Sequence, residues 1–328
     1  MTAIANNNGG RTVPYVSVVV TTYNRAALLK ETVSSILSQT FTDFELIIVD
    51  NMSTDGTDAY VDSIGDGRVR YFKNQNNGII AVNRNYGIGK ASGRYVAFCD
   101  DDDLWMPDKL KAQTVFMDAN PDVALTFGYA RDFYCHTPGD APQDGALRFA
   151  KDACDATDSF ERLLFGNNVA TVTAMVRKSC LDEAGLFDED PAFRTVEDYE
   201  LWLRLARKGA IACIPQTLGR YRLHSQSVSG NEVGQKKRLL NILEKFKRHG
   251  WLEPELARRA EGHVSWMIGN ALLGAGESDY RAWYWKAVTK DKNFTLLLSV
   301  FFCLLPTALS SKVFRLLKGY RTRRNNRL

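Results

Sequence analysis

Four consecutive aspartates, Asp100 to Asp103, are the residues of this chain best suited to chemistry. They directly follow the apolar run Tyr95–Cys99, and such a short run predicts a buried strand. The carboxylates then lie at the carboxyl end of that strand, where open α/β sheets bind their ligands. Mg2+ and Mn2+ prefer oxygen ligands, and Mg2+ uses one or two carboxylates together with water and substrate phosphates. The cluster predicts a metal-bridged phosphate ligand, and a solvated acidic loop is the alternative.

Polar residues at the ends of the first two predicted strands could hold the rest of a nucleotide. The segment Thr21–Arg25 offers hydroxyls, an aromatic ring and a guanidinium, while Asp50 and Asn51 can hydrogen-bond a base or ribose edge. Each residue alone is uninformative, because a lone Tyr23 is more often a packing residue and a lone Asp50 more often a turn residue. Together, beside the aspartates, they predict a cleft for a nucleoside diphosphate.

The second half of the chain offers a further acidic pair and a histidine. Glu197 and Asp198 fall in the first turn of a helix predicted at about Val196 to Arg207, where the helix dipole favours carboxylates. A carboxylate held there could also deprotonate a hydroxyl as a general base. His224 is one of four histidines, and it is either structural or a metal ligand.

The elements that must position these residues alternate between strand and helix. This alternation predicts βαβ units and a doubly wound, mostly parallel sheet of the α/β class. Residues 130–160, rich in Pro, Gly and Asp, predict a loop, and the chain beyond Gly230 is predicted to be helical. The predicted strands and helices of the first half are Val16–Val20, Leu28–Gln39, Glu45–Val49, Thr57–Ile64, Val69–Phe72, Ile80–Lys90, Tyr95–Cys99, Pro107–Ala119 and Val123–Tyr129; in the second half, order is predicted to return at Val169–Arg177, with short strands at Ile211–Ile214 and Leu218–Arg222.

Length and composition favour one large domain with an appendage. The chain has 328 residues, and its six cysteines form no CxxC pair, which argues against a disulfide framework and a zinc site. The polar N-terminus lacks the apolar core of a secretory signal. These features predict a cytoplasmic protein.

The C-terminus combines an apolar segment with a basic tail. Residues 294–309 are apolar but too short to span a membrane readily, and residues 311–328 carry seven of the 42 basic side chains and no acidic one. The remainder has 35 basic and 38 acidic side chains and no basic face, so nucleic acid is not an expected partner. We expect contact with an anionic surface on the inner face of the cell membrane, with a buried helix that closes the core as the alternative.

Several motifs occur in the order found in one family. They are Val16–Arg25, Ser35–Phe41 with Phe44–Asp50, Arg84–Gly87, Asp100–Trp105, Glu197–Trp202 and Tyr221–His224. In these motifs the chain resembles the family-2 glycosyltransferases of the GT-A fold over roughly residues 14 to 229.

This resemblance implies an inverting transfer of a sugar from a nucleotide-sugar donor, with a UDP-sugar favoured, to a hydroxyl of a glycan or lipid-linked acceptor. It implies Asp198 as the catalytic base, Asp102 and His224 as ligands of Mn2+ or Mg2+, and the remaining site residues as donor contacts. Those donor contacts are Thr21, Tyr23, Arg25, Asp50, Arg84, Asp100, Asp101 and Glu197.

The expected organisation is a disordered N-terminus (1–13), a GT-A domain (14–229), a helical extension (230–293) and the segment 294–328. A sugar nucleotidyltransferase is one alternative function, although that class has a Gly-rich, Arg-containing loop after its first strand. A non-catalytic nucleotide-sugar-binding module is another, and the pair Glu197 and Asp198 argues against it.

Overall fold

A computed structural model describes residues 13–134, 143–148, 159–223 and 232–291, with positions 303, 307 and 310–314. The chain divides into two compact units. The first comprises Met1–Ser159, Asn168–Phe187 and Leu201–Leu223, and the second comprises Phe160–Asn167, Asp188–Glu200 and His224–Leu328. His224, the predicted disordered N-terminus up to residue 12 and most of residues 294–328 lie outside the described residues. The predicted domain boundaries stay a prediction.

The first unit holds a sheet of nine strands within the described residues. The strands are β1 (Val16–Thr22), β2 (Phe44–Asp50), β3 (Val69–Lys73), β4 (Tyr95–Asp100), β5 (Leu104–Trp105), β6 (Val123–Tyr134), β7 (Gln143–Leu147), β8 (Met175–Arg177) and β9 (Ala210–Leu223). The helices are α1 (Ala26–Leu37), α2 (Thr57–Asp62), α3 (Ile80–Lys90), α4 (Lys109–Ala119), α5 (Ser159–Phe165), α6 (Lys178–Ala184), α7 (Glu197–Leu205), α8 (Glu232–Arg248), α9 (Pro254–Ala275) and α10 (Tyr280–Lys290).

The strand order is β3-β2-β1-β4-β8-β6-β9-β5, with β7 paired to β6. Strands β1 to β4 are mutually parallel where they pair, and β6 pairs parallel with β9, while β5, β7 and β8 form antiparallel pairs. Every residue of β1 and β2 is buried, as expected for parallel strands that are covered on both faces. The predicted fold class, a mostly parallel α/β sheet flanked by helices, is confirmed.

The register of the central strands sets the position of the polar residues. Thr21 lies opposite Asp100, and Thr22 lies opposite Asp50. Since β1, β2 and β4 are parallel, their carboxyl ends meet at one edge of the sheet. Helix α3 packs closely on β1 because Gly87 leaves no room for a side chain: a Cβ there would lie 2.5 Å from a methyl group of Val19.

Three details differ from the sequence prediction. The loop expected over residues 130–160 contains the end of β6 and the strand β7, which pair with each other. The two short strands expected near residues 211–222 form the single long strand β9, because pairing along β6 continues through a register shift near Tyr129. Cys213 is disulfide-bonded, a bond that the cysteine spacing did not predict, whereas Cys99, Cys180 and Cys303 are free.

The second unit is helical where it is described, with α8, α9 and α10 as its main elements. Helices α9 and α10 approach closely at Gly269, where a Cβ would lie 2.5 Å from the ring of Tyr284. Phe246 of α8 is fully buried and contacts the ring of Trp251. Among the described residues, no helix has both the length and the apolar character needed to cross a membrane.

Candidate functional site

A tight turn, which we call the acidic turn (Asp100 to Asp103), ends β4. The backbone N–H of Asp103 donates to the carbonyl oxygen of Asp100 at 3.3 Å. Burial alternates along it: Asp101 and Asp103 are 4% and 1% exposed, whereas the side chains of Asp100 and Asp102 are 30% and 14% exposed. Asp101 and Asp103 are therefore buried, whereas Asp100 and Asp102 are partly exposed at the carboxyl end of β4.

Arg25, which follows β1, bridges the middle of the acidic turn. Its Nη1 lies 3.1 Å from Asp101 Oδ1 and 2.9 Å from Asp102 Oδ2, and Thr22 Oγ1 donates to Asp101 Oδ2 at 2.7 Å. Burial, reinforced by the neighbouring charge of Asp102, raises the pKa of Asp101 to about 7, although Arg25 and Thr22 oppose this rise. Burial lowers the pKa of Arg25, but attraction to Asp101 and Asp102 outweighs it and raises that pKa overall.

Asp103 connects the acidic turn to the protein interior. Its Oδ1 accepts a hydrogen bond from the backbone N–H of Arg222 at 2.9 Å, and its carbonyl oxygen accepts one from Thr32 Oγ1 at 2.8 Å. Its Oδ2 is buried without a hydrogen-bond partner among the described residues. Burial, with the charges of Asp102 and Asp100, raises the pKa of Asp103 well above its ordinary value. Asp103 is thus a structural member of the turn.

Arg84 of α3 borders the accessible side. Its Nη2 lies 2.8 Å from Asp100 Oδ1, and its guanidinium carbon lies 5.3 Å from the ring centre of Phe187. The side chain is almost completely buried, so it is held in one place by an ion pair and an aromatic contact. Arg84 and Arg25 place two guanidinium groups beside the carboxylates.

The predicted nucleoside contacts differ in accessibility. Tyr23 is 55% exposed, whereas Thr21 is mostly buried. Asp50 is fully buried: Ser53 donates to its Oδ1 through both Oγ (2.5 Å) and N–H (3.0 Å), and the hydroxyl of Tyr71 donates to its Oδ2 at 2.5 Å. Burial and the hydrogen bond to Asp50 raise the pKa of Tyr71. In this arrangement Asp50 holds the loop after β2.

Two features of the site were not expected from the sequence. Asn24 joins the loops after β1 and β2: its N–H donates to Ser53 Oγ and its Oδ1 accepts from the N–H of Thr54, both at 2.8 Å. Its left-handed φ of 50° is one that asparagine adopts more readily than most residues, and the Tyr-Asn-Arg sequence was the available signal. Arg222, the second feature, reaches the acidic turn from β9.

The residues present fit a divalent cation that is shared with a phosphate ligand. Among the described residues, no group of three or more His, Cys, Asp and Glu side chains could hold a metal by itself. Mg2+ needs only one or two carboxylates when phosphates and water complete its shell, and Asp100 and Asp102 are the accessible pair. His224, the other predicted ligand, lies outside the described residues.

Glu197 and Asp198 open α7 as predicted. Asp198 Oδ1 accepts a hydrogen bond from the N–H of Tyr199 at 2.6 Å, and Glu197 is mostly buried. Both residues belong to the second unit, whereas the acidic turn belongs to the first. The roles assigned to them stay predictions.

A parallel sheet whose carboxyl edge carries accessible carboxylates between two arginines defines an α/β protein suited to a phosphorylated ligand. Residues 17–177 match the family model described as glycosyl transferase family 2. A UDP-Glc:alpha-D-GlcNAc-diphosphoundecaprenol beta-1,3-glucosyltransferase of Escherichia coli, WfaP, is 31% identical over 234 residues, which cover 70% of this chain and 85% of that protein. The chain therefore belongs to glycosyl transferase family 2, and it is a glycosyltransferase.

Solved structures show the same fold. The mannosyltransferase PcManGT from Pyrobaculum calidifontis, in complex with GDP-Man and Mn2+, aligns with a TM-score of 0.61 at 19% identity over 93% of this chain and 85% of that one. S. aureus TarS 1-349 in complex with UDP-GlcNAc aligns with a TM-score of 0.55 at 18% identity, over 84% of this chain and 89% of that one. These similarities establish the GT-A fold.

Proposed function

We propose that this chain is an inverting glycosyltransferase that moves a sugar from a nucleotide donor, with a UDP-sugar favoured, to a hydroxyl of a glycan or lipid-linked acceptor. The observation that carries the proposal is the acidic turn, where Asp100 and Asp102 are accessible between Arg25 and Arg84. A UDP-sugar is favoured because the relative WfaP is named for UDP-Glc. The identity of the nucleobase is tested first, with a panel of nucleotide sugars.

The donor is held by residues at the carboxyl edge of the sheet. Tyr23 offers an exposed ring for the base, and Thr21, which is mostly buried, is assigned to the nucleoside through the family resemblance. Asp50 acts through the loop that it anchors with Ser53 and Tyr71. Arg84, fixed by Asp100, adds positive charge where a diphosphate would lie.

Asp102, with His224, would hold Mn2+ or Mg2+ together with the diphosphate of the donor. When bound, such an ion neutralises charge that develops on the departing diphosphate. Arg25 contacts Asp102, so the ion would share this carboxylate with a guanidinium. Asp101, which shares Arg25 with Asp102, is assigned to the donor, and Glu197 is assigned to it through the family resemblance.

Asp198 is the proposed general base. It accepts the proton of the acceptor hydroxyl as that oxygen attacks the anomeric carbon from the face opposite the diphosphate. The bond between the anomeric carbon and the diphosphate oxygen breaks, the nucleoside diphosphate leaves with the electron pair, and the configuration inverts. The first-turn position of Asp198 in α7 favours an ionised carboxylate, which a base requires.

A lipid-linked acceptor fits the chain best. WfaP is named for an acceptor carried on diphosphoundecaprenol. The seven basic residues between 311 and 328 would be attracted to anionic lipid, at about 1 kcal/mol each near the surface. We therefore place the enzyme at the cytoplasmic face of a membrane as a peripheral protein.

The test begins with a panel of nucleotide sugars, each measured for Mn2+-dependent thermal stabilisation, since a ligand that binds the native state raises Tm by mass action. The stabilising donor is then used to assay transfer to a polyprenyl-diphosphate sugar. We expect Asp198→Asn to lower the rate about 10²- to 10⁴-fold while donor stabilisation is retained. Asp182→Asn, an exposed carboxylate on α6, is the control.

Three outcomes would contradict the proposal. Full turnover by Asp198→Asn would remove Asp198 as the base. Retained anomeric configuration in the product would exclude inversion. Donor stabilisation with neither transfer nor donor hydrolysis in the wild type would leave a binding module.

A further inference from the structure

Arg222 reaches the acidic turn from a remote part of the chain. It lies on β9 and is buried. Its Nε donates to the backbone carbonyl oxygen of Asp102 at 2.7 Å, and its Nη2 lies 2.5 Å from Glu31 Oε2 on α1. Its own backbone N–H donates to Asp103 Oδ1 at 2.9 Å, and its guanidinium carbon lies 4.5 Å from the ring centre of Phe133.

These contacts restrict the peptide group between Asp102 and Asp103. A guanidinium is planar, and its donors have fixed relative directions. With Glu31 holding one end and Phe133 lying against the guanidinium, Nε is aimed at the carbonyl oxygen of Asp102. The direction of that carbonyl is coupled to ψ of Asp102, and therefore to the direction in which its side chain leaves the backbone.

We infer that Arg222 is a positioning residue, which pins the acidic turn so that the Asp102 carboxylate is presented toward the cation and diphosphate of the donor. The inference rests on the proposed function for the role of Asp102. It is independent of the sugar, the acceptor and the catalytic base. Arg222 touches the backbone of Asp102, so it acts on the ligand through that residue.

A purely electrostatic role for Arg222 predicts the opposite sign. If its positive charge only offset the aspartates, replacing it with neutral Gln would strengthen the binding of a cation at Asp102. If it positions the turn, the same change weakens cation binding, because the carboxylate loses its orientation. Loss of an outer partner of a metal ligand typically costs about 10- to 100-fold in affinity or activity.

The chain contains a matched control on the same strand. Arg220 lies two residues earlier on β9, and its guanidinium carbon lies 4.8 Å from the ring centre of the same Phe133. Its side chain forms an ion pair with Asp144 on β7 and, among the described residues, no hydrogen bond or ion pair with the acidic turn, although its backbone pairs with Leu104 just beyond that turn. Arg220→Gln therefore removes an equal charge from the same strand without touching Asp102.

The first experiment measures hydrogen exchange of the protein, without metal or nucleotide, at the amides of residues 101–103. We expect Arg222→Gln to speed exchange there at least about tenfold, and Glu31→Gln, which removes the carboxylate paired with Arg222, to give a smaller change of the same sign. Arg220→Gln should match the wild type. Wild-type exchange in Arg222→Gln, or equal acceleration by Arg220→Gln, overturns the inference.

The second experiment follows free Mn2+ by electron paramagnetic resonance, with UDP present, or with GDP if GDP stabilises the wild type more. Arg222→Gln and Arg222→Lys should both weaken Mn2+ binding about 10- to 100-fold, because lysine keeps the charge but lacks the planar fork. In assays of transfer, kcat should fall while KM for the donor changes less. Tighter or unchanged Mn2+ binding in Arg222→Gln, or full rescue by lysine, overturns the positioning role.

Failure of the proposed function gives a different result. If the wild type binds no Mn2+ with either nucleotide, the metal-assisted mechanism is wrong. The exchange measurement still decides whether Arg222 holds the turn. If Arg222→Gln does not fold, Glu31→Gln replaces it in both experiments, because Glu31 is partly exposed and its substitution leaves no buried cavity. The same directions of change are then expected, with smaller magnitudes.

Discussion

Lys109 is a buried lysine, and its ionisation should make the stability of the protein depend on pH. The residue opens α4 and is fully buried, its Nζ donates to Gln113 Oε1 at 2.7 Å, and Nζ lies 4.0 Å from the ring centre of Trp105. Burial lowers the pKa of Lys109 from 10.5 to about 7, and Cys99 opposes this slightly. Between these two values the unfolded chain binds a proton that the native protein does not.

The free energy of unfolding should therefore rise as pH increases through this window, by about 1.4 kcal/mol per pH unit. From pH 8 to pH 9.5 the expected gain is about 2 kcal/mol. Cation–π attraction to Trp105, worth about 2 kcal/mol when desolvated, favours the charged amine. It therefore raises the native pKa of Lys109 and shortens the pH range over which stability rises. Lys109→Met keeps the length of the side chain but removes the titration.

The measurement is urea unfolding followed by circular dichroism at pH 8, 8.75 and 9.5. We expect the difference in unfolding free energy between wild type and Lys109→Met to shift by about 2 kcal/mol in favour of the wild type across this range. Lys111→Met, an exposed lysine on the same helix, controls for general effects of pH. Parallel pH dependences of wild type and Lys109→Met would refute the reasoning.

Three further changes test the site and the tail. Arg25→Gln removes the positive charge beside Asp101 and Asp102, so Mn2+ should bind more tightly in the absence of nucleotide. KM for the donor should rise about tenfold, as expected when a charged hydrogen bond is lost. Unchanged Mn2+ binding, measured by electron paramagnetic resonance, would contradict this prediction. Asp102→Asn should abolish the Mn2+-dependent rise in Tm that the donor causes, and a preserved rise would show that another group holds the ion. Replacing the four arginines between 321 and 327 with Gln should weaken sedimentation with phosphatidylglycerol vesicles about a thousandfold, at about 1 kcal/mol per residue, whereas unaltered sedimentation would remove the tail from membrane contact.

The core of the fold could be predicted because its signals are local. The apolar runs that became β1, β2 and β4 are buried throughout, and the intervening segments have helical character. The edge of the sheet that carries the site followed from the same pattern, since parallel strands end on one side. By contrast, β7 pairs with β6 within a segment rich in Pro, Gly and Asp, where no local pattern favours a strand.

The sequence alone determined the types and the order of the chemical groups. These are an acidic run after a buried strand, polar residues after two other strands and a pair of carboxylates at the start of a helix. The exposure of each aspartate in the acidic turn depends on the folded structure. Asp101 and Asp103 are buried because residues that are remote in sequence, Thr22 and Arg222, pack against them. The tertiary structure also buries Asp50 in hydrogen bonds with Ser53 and Tyr71, and it places Arg222 against the carbonyl group of Asp102, 120 residues away. Residue type sets what a group can do, whereas its exposure and direction depend on partners that only the packed chain brings together.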